Sequence, residues 1–327
     1  FVLPIDVSKG CASMYSRRYV PAVALMTLVL AACGDGSANS QEDHQATPEN
    51  DQAVKALIER TMDNLVFVEG GTFQMGDFGP IDPKAEGLPY SADMDNKPLH
   101  EVTLDSFSIS AYQVSYADYD VYTEATGQEM INTEGLEVDY RAPDVPAGVD
   151  WYQARDYCQW LGDQTGLPFA LPTEAQWEYA ARSRGEFYPF STFDGRFVEP
   201  GKNFPTDEEI RNSTPAQGPY SPYTIGLYPP NPLGIYQMGL NGFEWTNDWY
   251  DENYYENSPK YNPTGPESGE KKVRRGASFG ETGRSMLTVS RRSAPPDLSY
   301  DDPRGLRTHS GVGSNTVRCT VNLPDPL

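Results

Sequence analysis

The sequence predicts an α+β domain, rich in loops, with short strands and a few helices. Three observations carry this expectation. The 327 residues include 29 Gly, 28 Pro and 21 Tyr, a composition that favours irregular, aromatic-cored structure over a helical bundle. The alternating apolar runs are short, and there is no tandem repeat or heptad run. Three stretches open with helix start signals, at Ser115, Asp150 and Thr173-x-x-Gln176. The net charge of −22 repels phosphates and gives no pull toward anionic lipid, so nucleic acid is an unsuitable partner and cations or a basic protein suit the chain better.

Residues 1–33 read as an upstream extension followed by a signal peptide. Met14, with Arg17 and Arg18, starts a charged region, Tyr19 to Val29 is largely apolar, and the run is too short to span a bilayer. Its end, Leu30-Ala31-Ala32-Cys33, resembles a bacterial lipobox. That resemblance makes Cys33 the lipidated first residue of the mature protein. With Gly34 rather than Asp behind it, the anchor is expected in the inner leaflet of the outer membrane, facing the periplasm. Residues 34–52 carry five acids and no Lys or Arg, which describes a flexible acidic tether. Residues 53–327 then form a single domain.

Within that domain a helix is expected over about 52–63, with Val54, Leu57, Ile58 and Met62 inward. Phe67–Met75, broken at Gly70-Gly71, reads as a hairpin, and residues 77–98 as a long Pro/Asp-rich loop. His100–Phe107 alternates as a strand, with His100 an edge residue rather than a metal ligand. Helices follow over 116–126, after Asp150 and after Thr173. Residues 186–232 read as ordered irregular loop, with a short strand at Ile225–Tyr228. Lys271–Arg275 enters a strand. In so acidic a chain Arg275, Arg291, Arg292, Arg304 and Arg307 are expected to pair internally with carboxylates, against the alternative of a basic groove for an anionic substrate.

The stretch Ile235–Tyr250 organises the rest. It sets two Trp, two Tyr and one Phe around an Asn241-Gly242 turn, with Glu244 among the rings. A carboxylate held there must be paired, hydrogen-bonded or bound to a cation. A strand–turn–strand core in which Glu244 caps backbone N–H groups and a cation site both remain open on these residues.

This stretch, with Phe67–Gly76, Gln113–Tyr119, Leu171–Arg182 and Arg275-Gly-Ala-Ser278, resembles the formylglycine-generating-enzyme, or sulfatase-modifying-factor, family across roughly 65–322. The resemblance implies that family's C-type-lectin-like fold. It also implies a calcium ion held by positions matching Gln237, Leu240, Gly242 and Glu244, although Gln stands where the family has Asn and Leu where it has the first Gly. Cys11 and Cys33 fall upstream, which leaves Cys158 and Cys319 for the domain. An oxidising compartment favours one disulfide over two buried thiols, and the resemblance implies the same Cys158–Cys319 pairing.

Active members of the family oxidise a substrate cysteine with a copper-binding thiol pair just after the Arg-Gly-Gly-Ser strand. Here Glu281 and Met286 stand at about those positions, and no cysteine lies between Cys158 and Cys319. The iron-binding His-x-x-x-His-x-Glu set of another branch cannot be made from His44, His100 and His309. No copper or iron, and no catalytic residue, is therefore expected. The resemblance then points to a non-catalytic lipoprotein that binds a protein partner. By family context this is an immunity protein against a co-encoded secreted lipase-type effector of a type VI system, with loops 77–98, 186–224 and 254–270 as contact surface. A periplasmic metal-dependent oxidase or maturation enzyme, or an envelope-machine scaffold, is the alternative.

Overall fold

The computed structural model describes residues 48–327 apart from 135–137, 139, 197–198, 214–220, 280, 282, 302–306 and 310–311. By compactness the chain divides after Asp43. The leader, Cys33 and most of the acidic tether lie outside the described residues, as does Arg304. No described helix is long and apolar enough to cross a membrane.

The described residues open with α1 (Pro48–Asp63), four residues earlier than its apolar spacing suggests. Leu57 is buried, while Val54, Ile58 and Met62 pack half-buried against the main core. Next come β1 (Leu65–Val68) and β2 (Gly71–Met75). These do not form the expected hairpin with each other. β1 pairs antiparallel with β4 (Phe107–Ser110), and β2 with β3 (His100–Leu104). Gly70 marks the crossing between the two sheets. A Cβ there would lie 2.4 Å from the Leu104 carbonyl oxygen, so only glycine lets the strands change partners this tightly.

Residues 77–98 are ordered by one carboxylate. Asp77 is buried and accepts hydrogen bonds from the N–H groups of Gly79, Tyr90 and Ser91. A single side chain thereby closes the loop on itself.

The three expected helices are present. α2 (Tyr116–Thr126) is capped by Ser115 and ends at Gly127. α3 (Trp151–Thr165) has a full capping box from Asp150 and Gln153, and α4 (Glu174–Ala181) one from Thr173 and Gln176. A two-residue strand, β5 (Phe169–Ala170), separates α3 from α4. Tyr119, Tyr122, Tyr157 and Trp160 interleave α2 and α3 with ring centroids 5.2–6.1 Å apart.

Within the expected loop 186–232 a further helix, α5 (Asp207–Ser213), appears. Its signal was readable: Thr206 Oγ1 accepts from the Glu209 N–H, and Glu209 Oε2 accepts from the Thr206 N–H. Ile225–Tyr228 is not a strand. Gly226 takes φ +77°, and its N–H donates to the Gln237 side chain, which turns the segment instead.

The signature stretch leads into β6 (Phe243–Trp249), but irregular chain rather than a strand precedes its turn. Beyond it lie β7 (Lys272–Arg275), β8 (Arg291–Ala294), β9 (Ser299–Asp301), β10 (Arg307–His309), β11 (Asn315–Thr316) and β12 (Thr320–Val321). Strands order β1-β4-β12-β5 in one sheet and β11-β6-β7-β8 in the other, with β11 parallel to β6; β9 and β10 form a hairpin.

Cys158 of α3 and Cys319, just before β12, are joined by a disulfide with Cα atoms 5.7 Å apart, both fully buried. It closes a loop of 161 residues. Chain-entropy reasoning puts its contribution at about 5 kcal/mol or less.

Candidate functional site

Glu244 is the second residue of β6 and is fully buried. Asn241 at φ +58° and Gly242 at φ +129° make the turn that delivers it. A Cβ on Gly242 would press on Thr316 Cγ2 at 3.1 Å, so glycine is required both for φ and for the approach of β11.

The carboxylate is fully engaged. Arg318 donates from Nη2 to Oε1 at 2.8 Å and from Nε to Oε2 at 3.0 Å, a bidentate pair, and Trp177 Nε1 donates to Oε2 at 2.8 Å. Glu244 thus caps no backbone group; its partners are a guanidinium and an indole.

The calcium set does not fit either. Gln237 Oε1 accepts from Gly226, the Leu240 carbonyl accepts from Gln113 Nε2, and the Gly242 N–H donates to the Ala277 carbonyl. With Arg318 already seated on Glu244, a cation would meet a positive charge and only one carboxylate. Gln237, Leu240, Gly242 and Glu244 are near in the chain but do not form a cage.

A second buried network lies on α4, all of whose residues are buried. Glu174, Glu178 and Arg182 recur at intervals of four and so share one face. Arg275 from β7 donates to Glu174 Oε1 at 2.8 Å and to Glu178 Oε2 at 2.9 Å. Arg291 from β8 reaches Glu174 Oε1 at 2.8 Å, and Arg182 reaches Glu178 Oε1 at 2.8 Å. The remaining donors hold loops. Arg182 Nη1 donates to the Gln74 carbonyl at 2.7 Å, Arg291 Nη1 to the Asp95 carbonyl at 2.5 Å, and Arg275 to that of Thr288.

Burial opposes ionisation of Glu174, but the Arg291 and Arg275 guanidiniums outweigh it and hold the carboxyl below its usual range. Asp248 has no such partner. Burial, then the Glu174 charge, pushes it up to about 8, while its Oδ2 accepts from the Glu174 N–H at the start of α4. Lys272 lies with Nζ 3.9 Å from the Trp151 ring centroid and 3.8 Å from that of Trp249. Burial pulls its ammonium down to about 8. Lys272, Arg275 and Arg291 are therefore interior groups and offer no basic groove. Arg292 lies 3.8 Å from Asp93, and the side chain of Arg307 lies outside the described residues.

After β7, Gly276 (φ +82°) turns the chain, and a Cβ there would come 3.1 Å from Gly239 Cα. Glu281 is half-buried. Met286 is 2% exposed and packs in an apolar cluster with Phe78, Phe190, Leu240 and Leu287. The structure therefore treats position 286 as core. His100 places Nδ1 3.1 Å from the Pro98 carbonyl and its ring against Tyr255. Among the described residues no three His, Cys, Asp or Glu converge as a metal site.

The family model for the sulfatase-modifying factor enzyme 1-like domain matches residues 51–310. The chain belongs to this family. Among its relatives, the protein named serine/threonine-protein kinase pkn1 of Chlamydia pneumoniae is 31% identical over 231 residues, 65% of this chain but 32% of that protein. This chain thus spans about a third of that relative's length. The formylglycine-generating enzyme of Streptomyces coelicolor is 29% identical over 67% of this chain and 80% of its own. The inactive C-alpha-formylglycine-generating enzyme 2 of Bos taurus is 25% identical over 76% of this chain and 89% of its own. The family thus includes relatives named as enzymes and relatives named as inactive. The structure of PvdO from Pseudomonas aeruginosa shares the fold, with a TM-score of 0.56 at 24% identity, covering 79% of this chain and 94% of that one.

Sequence reasoning kept Glu244 but missed its partner. Arg318 adjoins Cys319, and a lone Arg before a buried Cys was a readable signal for an inward cation. Glu174, Glu178 and Arg182 were also visible at i, i+4 and i+8 on a helix whose other residues are Trp, Tyr, Ala and Gln. A helix that apolar on its other sides leaves its charges no route to water.

Proposed function

We propose that this chain is a non-catalytic member of its family and works as a protein-binding module. One observation carries the reading: the ionisable groups beneath the signature stretch are engaged in holding loops, and the thiol-pair positions hold Glu281 and a core methionine, Met286. Buried carboxylates held by guanidiniums are fixed as structural partners rather than presented to a substrate for proton transfer, and a thioether beside one carboxylate does not reproduce two thiolates. The irregular loops 77–98, 186–224 and 254–270 stand on this rigid interior as contact surface.

The disulfide suits an oxidising compartment, and a lipid on Cys33 would tether the module to the outer membrane facing the periplasm. The finer reading is an immunity protein that neutralises a co-encoded lipase-type type VI effector. Purified mature protein, used as bait in a periplasmic extract containing that effector, is expected to retain it at one-to-one stoichiometry. Conversion of a cysteine-containing peptide to an aldehyde by the purified protein would overturn the non-catalytic reading. The absence of any stoichiometric protein partner would overturn the binding one.

A further inference from the structure

The loops 84–90, 189–196 and 284–287 line a groove of about 520 Å³. Its walls are apolar, with Leu88, Pro189, Phe190 and Leu287, and three cations line it: Lys84, Arg196 and Arg284. Arg196 has Asp194 at 3.6 Å. Lys84 and Arg284 are exposed and have no ion-pair partner among the described residues. That is unexpected in a chain with 47 acids to 25 bases. The interior arginines are all seated on carboxylates or carbonyls, whereas here two cations stand open beside an apolar wall. The same loops also expose Leu88 at 66% and Phe193 at 46%. Apolar side chains presented together with unpaired charge describe a contact surface rather than a solvated loop.

We propose that this groove takes an acidic segment of a partner protein, one that inserts an aromatic or leucine side chain between Leu88 and Phe190 and sets its carboxylates against Lys84 and Arg284. The inference rests on the binding-module reading and adds the partner's chemistry to it. The net charge of −22 alone would favour a basic partner. At physiological salt, however, charges more than about 8–10 Å away are largely screened, so the local cations decide what docks here. The groove is open and its apolar flanks extend beyond it, which favours a peptide over a small anion.

The test uses random linear peptides displayed on phage and selected against the immobilised full chain. Selected peptides are expected to carry net negative charge around an aromatic or leucine. A synthetic copy should bind about tenfold more weakly to Arg284→Glu, and to Lys84→Glu, and should weaken as NaCl rises from about 50 to about 200 mM. Because both positions are exposed, an unchanged melting curve separates lost binding from lost folding, and Leu88→Ala provides an uncharged second variant on the groove wall that should also weaken binding. Enrichment of basic or neutral peptides overturns the proposal, as does binding indifferent to both reversals. If sodium oleate or anionic vesicles bind in an Arg284-dependent way while no acidic peptide is enriched, the groove is a lipid site and the proposal also fails. A natural protein partner whose binding ignores Arg284→Glu would sink the groove while leaving the binding module intact.

Discussion

The buried face of α4 and the groove around Arg284 handle the same residue types in opposite ways. On α4, Arg275, Arg291 and Arg182 are almost fully buried, and each is seated on a glutamate. Around the groove, Lys84 and Arg284 face water without an ion-pair partner among the described residues. Both regions sit in a strongly acidic chain, so composition does not explain the difference. Burial does. A guanidinium out of water must be paired, and once paired it can hold several loops at fixed distance. An exposed cation is solvated without a partner, so its freedom costs the fold almost nothing. The interior charges hold the loops in place, and the groove charges are left available to meet something else.

Removing one interior cation should break this contrast most severely. Arg275→Met leaves Glu174 and Glu178 short of a partner in a site without water access. The expected loss is about 3–5 kcal/mol in urea unfolding. A loss below about 1 kcal/mol would mean that the network is not structural, and the binding reading would lose its main support. Replacing Cys158 and Cys319 together by Ala should cost about 2–5 kcal/mol, because the disulfide spans most of the domain. The double variant measured beside the reduced native chain separates the crosslink from the packing of the two sulfurs.

The part of the fold legible in the sequence was the part governed by local rules. Helices capped by Ser115, Asp150 and Thr173 needed only neighbouring residues, and their starts agree with the structure. Strand pairing was not legible, because β1 and β2 are separated only by Glu69 and Gly70 yet belong to different sheets. What decides their partners is β4 and β3, more than twenty residues away. The site followed the same division. Glu244 could be recognised as a buried carboxylate from the rings around it. Its partner, Arg318, lies 74 residues further on and could not be assigned from spacing. A cation cage and a guanidinium satisfy a buried carboxylate equally well on paper, and only the fold shows which one is in place.

Asp248 sharpens the comparison as a buried acid beside the α4 network to which no guanidinium hydrogen-bonds among the described residues. Its folded pKa, about 8, lies above the ordinary value of about 4, so the folded state holds a proton that the unfolded chain has lost between those pH values. Stability from this group is therefore full in acid and falls as pH rises from about 4 to about 8. Asp248→Asn keeps an oxygen for the Glu174 N–H and removes the titration. It should match the native protein below about pH 4 and exceed it by about 1–3 kcal/mol near pH 9. Lys272 works in the other direction, since its depressed pKa makes stability rise above pH 8, so the comparison is made variant against native at each pH. Equal unfolding midpoints at pH 9 would show that Asp248 is ionised and solvated by some other means.

The smallest expected effect is at Arg284. If the groove cations contribute nothing to holding the fold, Arg284→Glu should leave the unfolding free energy within about 0.5 kcal/mol of native, as surface changes away from structural contacts generally do. It also adds negative charge to a surface already carrying a large excess, so any small loss should shrink as salt rises. Thermal melts at about 50 and about 200 mM NaCl decide this. A loss of more than 1 kcal/mol that survives high salt would mean that Arg284 is paired after all, with a group the fold brings to it. The distinction between charges that build the domain and charges left for a partner would then disappear. A null result in the melt, alongside a marked loss of acidic-peptide binding, is the outcome that keeps the two regions distinct.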